Sequence, residues 1–303
     1  MKTKSGYNFL ALLTPLDLGT IFYVVLSGIY MCFGLASLED PMLHFLSRFG
    51  ILLFIAIMAY LDKKYPSKLV SCIRSLYPLV FLSFFYAETG YMKNILINDN
   101  LDAYFSGIDQ AIWGFQPSLQ FSKAMSQGWF NEVMNISYFS YYLITAVVCV
   151  TIYINETKIS HKPIFIVVFS FYLYYIIFDL LPVVGPQFYF DTLTHESVPP
   201  YPVGKFMQYL LLNYEEPTGA FPSSHVGLAL ILSYVSIKYQ KKLTLFFVGL
   251  PFVIGICFAT VYLKAHYAID VLGALVTVPI FIIISSYVYN KLLLLNAAFK
   301  QNS

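Results

Sequence analysis

The sequence predicts an all-α protein, a polytopic membrane helical bundle with about eight transmembrane helices. Its 303 residues are 58% hydrophobic and only 11% charged, whereas a soluble domain is about a quarter charged. Their mean hydropathy is +0.69. Eight separate apolar stretches also reach the length of about 20 residues that a helix needs to cross the hydrocarbon core of a bilayer.

The eight predicted spans are joined by short loops on one side and by two long connections on the other. The first span begins near Leu18 without a small-residue cleavage site before it, which predicts a retained helix and not a removed signal peptide. The long connections, 89–128 and 183–221, are rich in aromatic residues, and short interfacial helices are predicted at 112–119 and 201–212. The spans are predicted at 18–37, 43–61, 69–88, 129–153, 163–182, 222–239, 243–262 and 266–289.

The basic residues alternate between the two sides of this topology. Positive charge favours the cytoplasmic side, so both termini are predicted in the cytoplasm and the long connections on the opposite face. A net charge of +2 without a clustered basic face argues against a nucleic-acid partner. One side holds Lys2, Lys4, Lys63, Lys64, Lys68, Lys158, Lys162, Lys238, Lys241, Lys242, Lys291 and Lys300, and the other holds Lys93, Lys123, Lys205 and Lys264.

The stretch GAFPSSHVGLAL, residues 219–230, has the pattern of a helix start at the edge of an apolar span. Pro222 suits the first position of a helix, where its missing N–H costs nothing. Ser223, Ser224 and His225 follow, so His225 is predicted in the first turn, among backbone N–H groups that have no partner within the helix. Such a helix start is suited to binding phosphate.

A second motif follows in TVYLKAHYAIDVLGAL, where His266 and Asp270 are four residues apart and share one helix face. The carboxylate is expected to hold one ring nitrogen of His266 and leave the other free as a nucleophile. Both histidines begin helices that start from the same side, so they are predicted at the same depth. Two histidines and a carboxylate together outline a nucleophile with its base.

Simpler interpretations stay open for these residues. A single histidine at a membrane interface is most often a polar residue that reaches towards water, although an aspartate inside a span indicates function by default. Zinc bound by two histidines and one aspartate is a rival chemistry, but no further convincing ligand is present. The cysteines are too dispersed for a zinc site and are predicted to be packing residues: Cys32, Cys72, Cys149 and Cys257.

Five further ionisable residues lie within the predicted spans, and structural pairing is the favoured role for all of them. Glu88 lies near the outer end of its span and is also a candidate contact for a polar head group. Arg74 starts on the inner side and is expected to extend to a lipid phosphate. The five are Arg48, Arg74, Glu88, Glu132 and Asp179.

PSSH (222–225) together with HYAID (266–270) resembles the second and third motifs of the type-2 phosphatidic acid phosphatase superfamily. The wider context resembles the branch that contains inositol phosphorylceramide synthases, and the likeness covers roughly 70–290. The further stretches that carry it are LFIAIMAYLDKKYP, RSLYPLVFLSFFYAETG, GIDQAIWGFQPSL, ISYFSYYL and DLLPVVGPQFYF.

The resemblance implies a six-helix core formed by the third to eighth spans, within a catalytic region at 69–303 that follows two N-terminal helices at 1–68. It implies that His266 attacks phosphorus and forms a phosphohistidine, and that Asp270 orients His266. His225 would protonate the leaving alcohol and later deprotonate the incoming one. The resemblance implies no metal and no cofactor.

The sequence departs from the phosphatases of the superfamily at two points. Their basic first motif, Lys with Arg-Pro seven residues on, is absent on the outer side, and their Ser-Arg pair is replaced by Ala259 and Thr260. A phosphomonoester dianion needs more cationic support than a phosphodiester monoanion, so the departures favour a phosphodiester. Lys264 is the best replacement cation, and Ser223 and Ser224 are the other candidate phosphate contacts.

These features together predict a membrane phosphotransferase with lipid substrates, with phosphatidylinositol as donor and ceramide or diacylglycerol as acceptor. The alternative on the same scaffold is a lipid phosphatase that uses water. A non-enzymatic lipid-binding or transport protein is a third hypothesis. The predicted location is the bacterial inner membrane, with the site on the periplasmic face, and the oligomeric state is left open.

Overall fold

The computed structural model describes residues 9–155, 161–192, 199, 201–240 and 243–301. All regular structure in these residues is helical, which confirms the predicted all-α class. After a short 3-10 turn at Phe9–Leu12, the helices are α1 (Pro15–Met31), α2 (Pro41–Lys64), α3 (Lys68–Met92), α4 (Asp102–Trp113), α5 (Pro117–Ala124), α6 (Gly128–Asn155), α7 (Lys162–Leu180), α8 (Pro186–Tyr189), α9 (Pro202–Tyr214), α10 (Ser224–Gln240), α11 (Leu243–Tyr262) and α12 (Ala268–Gln301).

Each of the eight predicted spans corresponds to one helix of this bundle. Helices α2, α3, α6, α7 and α12 are long and apolar enough to cross a membrane, and α1 is a shorter apolar helix. The chain is therefore a polytopic helical bundle, as predicted. Five of the lysines behind the predicted orientation, Lys2, Lys4, Lys158, Lys241 and Lys242, lie outside the described residues, so the orientation stays a prediction.

Local sequence signals explain where several helices begin. Thr14 and Asp17 form a capping box at the start of α1, in which each residue's side chain accepts a hydrogen bond from the other's backbone N–H. The side chain of Ser67 caps α3 by accepting from the N–H of Val70, 3.2 Å away. These caps set the entry of the first and third apolar segments into the bundle.

Of the two predicted interfacial helices, the one at 201–212 is confirmed by α9, but the one at 112–119 is wrong. The chain breaks at Gly114, which has the left-handed φ of 77° that ends α4. Pro117 then starts α5 in a new direction. The predicted segment therefore covers the turn between two helices.

The helix α7 lies at the centre of the bundle, where it packs against α1, α3, α10 and α12. It is apolar on all sides, which is the pattern of a helix surrounded by others. Its contact with α10 is very close at Gly227, because a Cβ atom there would lie only 1.7 Å from the hydroxyl oxygen of Tyr174. Helix α10 is in turn surrounded by α6, α7, α11 and α12.

Buried charges connect the two N-terminal helices to the rest of the bundle. Arg48 of α2 donates to Glu88 of α3 at 2.6 Å and to the hydroxyl of Ser27 of α1 at 3.0 Å. Arg74 contacts Asp17 and Asp62 at 2.7 and 2.6 Å. The expectation that Arg74 extends to a lipid phosphate is therefore wrong, since carboxylates already engage its guanidinium. The division of the chain at residue 68 stays a prediction.

We expect Arg48→Met to lower the free energy of unfolding by roughly 3–5 kcal/mol, because it leaves the buried carboxyl of Glu88 without its cation. Replacing both partners, as in Arg48→Met with Glu88→Leu, should restore much of the loss. Thermal and denaturant unfolding in detergent measures both effects. Lys63→Met, which removes an exposed charge from the same helix, is the control. Equal stability of Arg48→Met and Lys63→Met would contradict this account.

Candidate active site

His225 lies at the outer end of α10, as the second residue of that helix. The hydroxyl of Ser223 accepts a hydrogen bond from the N–H of Val226 at 3.4 Å, and its carbonyl accepts one from Gly227 at 3.0 Å. Ser223 is thus the capping residue. The prediction that Pro222 is the first residue of the helix is wrong, because α10 begins two residues later, at Ser224.

His266 lies in the tight turn between α11 and α12. Its backbone N–H donates to the carbonyl of Thr260 at 3.1 Å. Lys264, two residues earlier, takes the left-handed φ of 64° that the turn requires. The turn directs the imidazole of His266 at α10, where its Nε2 lies 3.2 Å from Nδ1 of His225. The two histidines that the sequence predicts at one depth are in direct contact.

One backbone acceptor fixes the order of protons along the pair. Nδ1 of His266 lies 2.7 Å from the carbonyl oxygen of Ala220, which can only accept, so Nδ1 carries the proton. In neutral imidazoles, which burial favours, Nε2 of His266 then accepts from Nδ1–H of His225. Nε2 of His225 is left to accept from the hydroxyl of Tyr138 at 3.0 Å. A nucleophilic lone pair on His266 Nε2 is therefore prepared in the resting protein.

Asp270 lies beside His266, but the structure gives the hydrogen bond to another group. Its Oδ2 is 3.5 Å from Nδ1 of His266, and the same oxygen accepts from the N–H of Tyr267 at 2.8 Å. The hydrogen-bond partner of Nδ1 is the Ala220 carbonyl. Asp270 also accepts from the N–H of Ser223 through its own carbonyl, at 3.0 Å, which joins the two sequence motifs directly.

The remaining predicted site residues divide into two groups. Ser223 and Ser224 are buried in the first turn of α10 beside His225, and Lys264 is buried in the turn that carries His266. Glu88 lies elsewhere, where it accepts from His44 at 2.8 Å and from Arg48. The candidate role of Glu88 as a head-group contact is therefore not supported, because buried partners on α2 engage its carboxyl.

The family model described as the PAP2 superfamily matches residues 105–284, which is more than half of the chain. The chain belongs to the PAP2 superfamily. The matched region contains His225, His266 and Asp270. No curated protein and no solved structure matches the chain.

Membership in the PAP2 superfamily supports a lipid enzyme of the phosphatase or phosphotransferase type. The position of the Ser-Arg pair of its phosphatases is taken here by Ala259 and Thr260, which are both buried, and the carbonyl of Thr260 holds the backbone of His266. Within the described residues, no group of three or more His, Cys, Asp and Glu side chains could hold a metal ion.

Three carboxylates on the outer side of this PAP2 protein organise the backbone around the histidines. Asp102 accepts from the N–H groups of Val184 and Gly185, both at 2.9 Å. Asp109 accepts from Ala268 and Ile269, at the start of α12, at 2.8 and 2.9 Å. Glu132 does the same for α9, where it accepts from the N–H groups of Val203 and Gly204.

Sequence reasoning predicted no such role for Asp102 and Asp109 and only unspecified structural pairing for Glu132. Burial raises the pKa of Asp109, and its two backbone hydrogen bonds act against that rise. Its position at a helix N-terminus also favours the charged form. A carboxylate in a long connection of a membrane protein is the one signal that indicates such caps.

A cavity of about 650 Å³ runs from His225 along the bundle between α3, α6 and α7. Glu215, Ser224 and His225 line its outer end, and apolar side chains of the three helices line the remainder. Val80 of α3 and Val150 of α6 both line it and are 70% and 53% exposed. The cavity therefore opens sideways, on the apolar surface that faces lipid.

Glu215 is a second group that sequence reasoning missed. It follows α9 in the loop that leads to His225, and its Oε1 accepts from the hydroxyl of Tyr86 at 3.3 Å. Burial raises the pKa of Glu215 to about 7, and the nearby charge of His266 acts against that rise. The carboxyl therefore titrates near neutrality at the edge of the cavity.

We expect the stability of the protein to fall as pH rises from about 4.5 to about 7, in part because of Glu215. In this window the unfolded carboxyl loses its proton while the folded one keeps it, which favours unfolding. Glu215→Gln should therefore gain stability relative to the wild type as pH rises, up to about 7. Thermal unfolding in detergent at several pH values measures this difference, with Glu216→Gln as the exposed control. A difference that does not change with pH would contradict the assignment.

Proposed function

We propose that this membrane enzyme transfers a phosphorylated head group from one lipid to another through a phosphohistidine on His266. The observation that carries the proposal is the direct contact of His225 and His266 at the end of an apolar, laterally open cavity. A phosphodiester lipid that enters from the bilayer reaches the pair with its chains in that cavity.

The chemistry is a double displacement. Substrate phosphate replaces the hydrogen bond between the rings, and Nε2 of His266 forms a bond to phosphorus while the bond from phosphorus to the lipid alcohol breaks. Protonated His225 gives its proton to that alcohol. The incoming lipid hydroxyl then passes its proton to His225 and attacks phosphorus, and the phosphorus–nitrogen bond breaks to restore His266.

The surrounding groups suit a phosphate with a single negative charge. The first-turn N–H groups of α10 and the positive end of its dipole lie beside His225, where they favour an anion. Lys264, Ser223 and Ser224 are proposed as further phosphate contacts. Ala259 and Thr260 supply no cation, so a phosphodiester is the better substrate. The choice of phosphatidylinositol as donor and ceramide as acceptor rests on the sequence resemblance of 70–290.

The apolar cavity supports transfer over hydrolysis. Its walls beyond the histidines are built from residues such as Leu76, Leu79 and Phe171, which exclude water and match lipid chains. A lipid hydroxyl is therefore placed next to His225 more readily than water.

Purified protein with labelled phosphatidylinositol should give inositol phosphorylceramide when ceramide is present, and little free inositol phosphate without it. His266→Ala and His225→Ala should each lower the transfer rate by at least about 100-fold, since each removes a group needed for the covalent cycle. Acid-quenched enzyme should carry label on His266. Equal release of inositol phosphate with and without ceramide would indicate the phosphatase instead, and full biological function of His266→Ala would indicate a non-enzymatic lipid-binding protein.

We further propose that the site faces the periplasm of a bacterial inner membrane, with both chain termini in the cytoplasm. The alternation of lysines between the connections supports this orientation. In a Cys32→Ser background, Tyr214→Cys lies at the cavity mouth and Tyr65→Cys at the opposite end of the bundle, and both positions are exposed. An impermeant thiol reagent should label only Tyr214→Cys in cells with a permeable outer membrane. Labelling of only Tyr65→Cys would reverse the orientation.

A further inference from the structure

We infer that Glu215 selects the acceptor lipid, by accepting a hydrogen bond from a second donor group beside the hydroxyl that reacts. This inference rests on the proposed head-group transfer and adds to it the residue that reads the acceptor. It concerns a carboxyl group that the histidine chemistry does not use.

Glu215 and His225 line the same cavity at its polar end. His225 exchanges its proton with the oxygen of the lipid alcohol, so that alcohol lies on the His225 side of phosphorus. The apolar length of the cavity extends from this point, and it takes the chains of the same lipid. The groups next to the reacting hydroxyl therefore lie beside Glu215, whereas the transferred head group is bound to phosphorus and stays near His266.

The loop that carries Glu215 is fixed to the outer end of α3. The Nζ atom of Lys93 donates to the carbonyl of Pro217. The hydroxyls of Thr89 and Thr218 lie 3.2 Å apart. With the bond from Tyr86 to Oε1 of Glu215, these contacts hold the carboxyl in place before any lipid binds. A preorganised group discriminates between ligands better than a mobile one.

The carboxyl retains capacity to accept further hydrogen bonds. Two carboxylate oxygens offer about four acceptor sites, and the hydroxyl of Tyr86 is the hydrogen-bond donor that the described part of the chain supplies to them. A lipid that fills the cavity removes water from this oxygen pair. The carboxyl then needs a donor from the lipid itself, because a buried acceptor without one is costly.

Ceramide and diacylglycerol differ in the groups that meet this need. Ceramide carries an amide N–H and a second hydroxyl close to its reacting hydroxyl, and both are donors. The groups next to the hydroxyl of diacylglycerol are ester oxygens, which only accept and are repelled by a carboxylate. A site built to bind a donor strongly rejects the analogue that lacks it, so Glu215 should favour ceramide.

The test is a competition between equal amounts of ceramide and labelled diacylglycerol for the head group of phosphatidylinositol in proteoliposomes. The wild type should favour ceramide, and Glu215→Leu should lower the ratio of the two products about tenfold or more. Glu215→Gln, which keeps an acceptor oxygen, should retain part of the preference. Glu216→Leu, at the exposed neighbouring carboxylate, is the matched control and should keep the full ratio.

The transfer to diacylglycerol reports that each variant is folded and active, because it uses the same histidines and makes no demand on Glu215. An unchanged product ratio in active Glu215→Leu, or no preference in the wild type, would overturn the inference alone. A second arm compares phosphatidylinositol with phosphatidylglycerol as donor. If Glu215→Leu changes this choice and leaves the acceptor ratio intact, Glu215 reads the head group and the inference is wrong. A wild type that only releases inositol phosphate would overturn the proposed function itself.

Discussion

The non-helical segment 182–185 has to satisfy its backbone groups without a helix of its own, and the outer side of the molecule is organised around that need. The carboxylate of Asp102 takes two of its N–H groups, and the carbonyl of Val183 takes the N–H of Ala220 at 3.0 Å. Ala220 is thereby fixed, and its own carbonyl holds Nδ1 of His266. A buried backbone group left without a partner costs free energy, so this chain of hydrogen bonds has few alternatives.

The catalytic pair inherits its geometry from this backbone network more than from the carboxylate of its own motif. The Ala220 carbonyl selects the tautomer of His266, which selects that of His225, which makes Tyr138 a donor. Asp109 caps the helix that follows His266 and so fixes the position of Asp270. Residues far apart in sequence thus meet because loops of the outer side satisfy one another.

The sequence predicts well what depends on apolar length and helical spacing, and poorly what depends on single backbone groups. The eight spans and the shared depth of His225 and His266 follow from run lengths and topology, and both agree with the bundle. The Ala220 carbonyl has no side-chain signal at all. The turn at Gly114 was missed because aromatic composition suits an interfacial helix and an interfacial turn equally. Glu215 was missed because a loop carboxylate is usually solvated.

The outcome of phosphohistidine formation is decided by the walls of the cavity and not by the histidines. His225 removes a proton from any hydroxyl placed beside it, so the same pair serves hydrolysis and transfer. Water is abundant at the outer face, and only an apolar passage that opens between α3 and α6 gives a lipid hydroxyl the advantage. Within that passage, the polar rim provides the discrimination that apolar walls lack, since walls that match one lipid chain match most others. Acceptor choice in such an enzyme therefore depends on rim groups such as Glu215, which leave the chemistry at His266 unchanged.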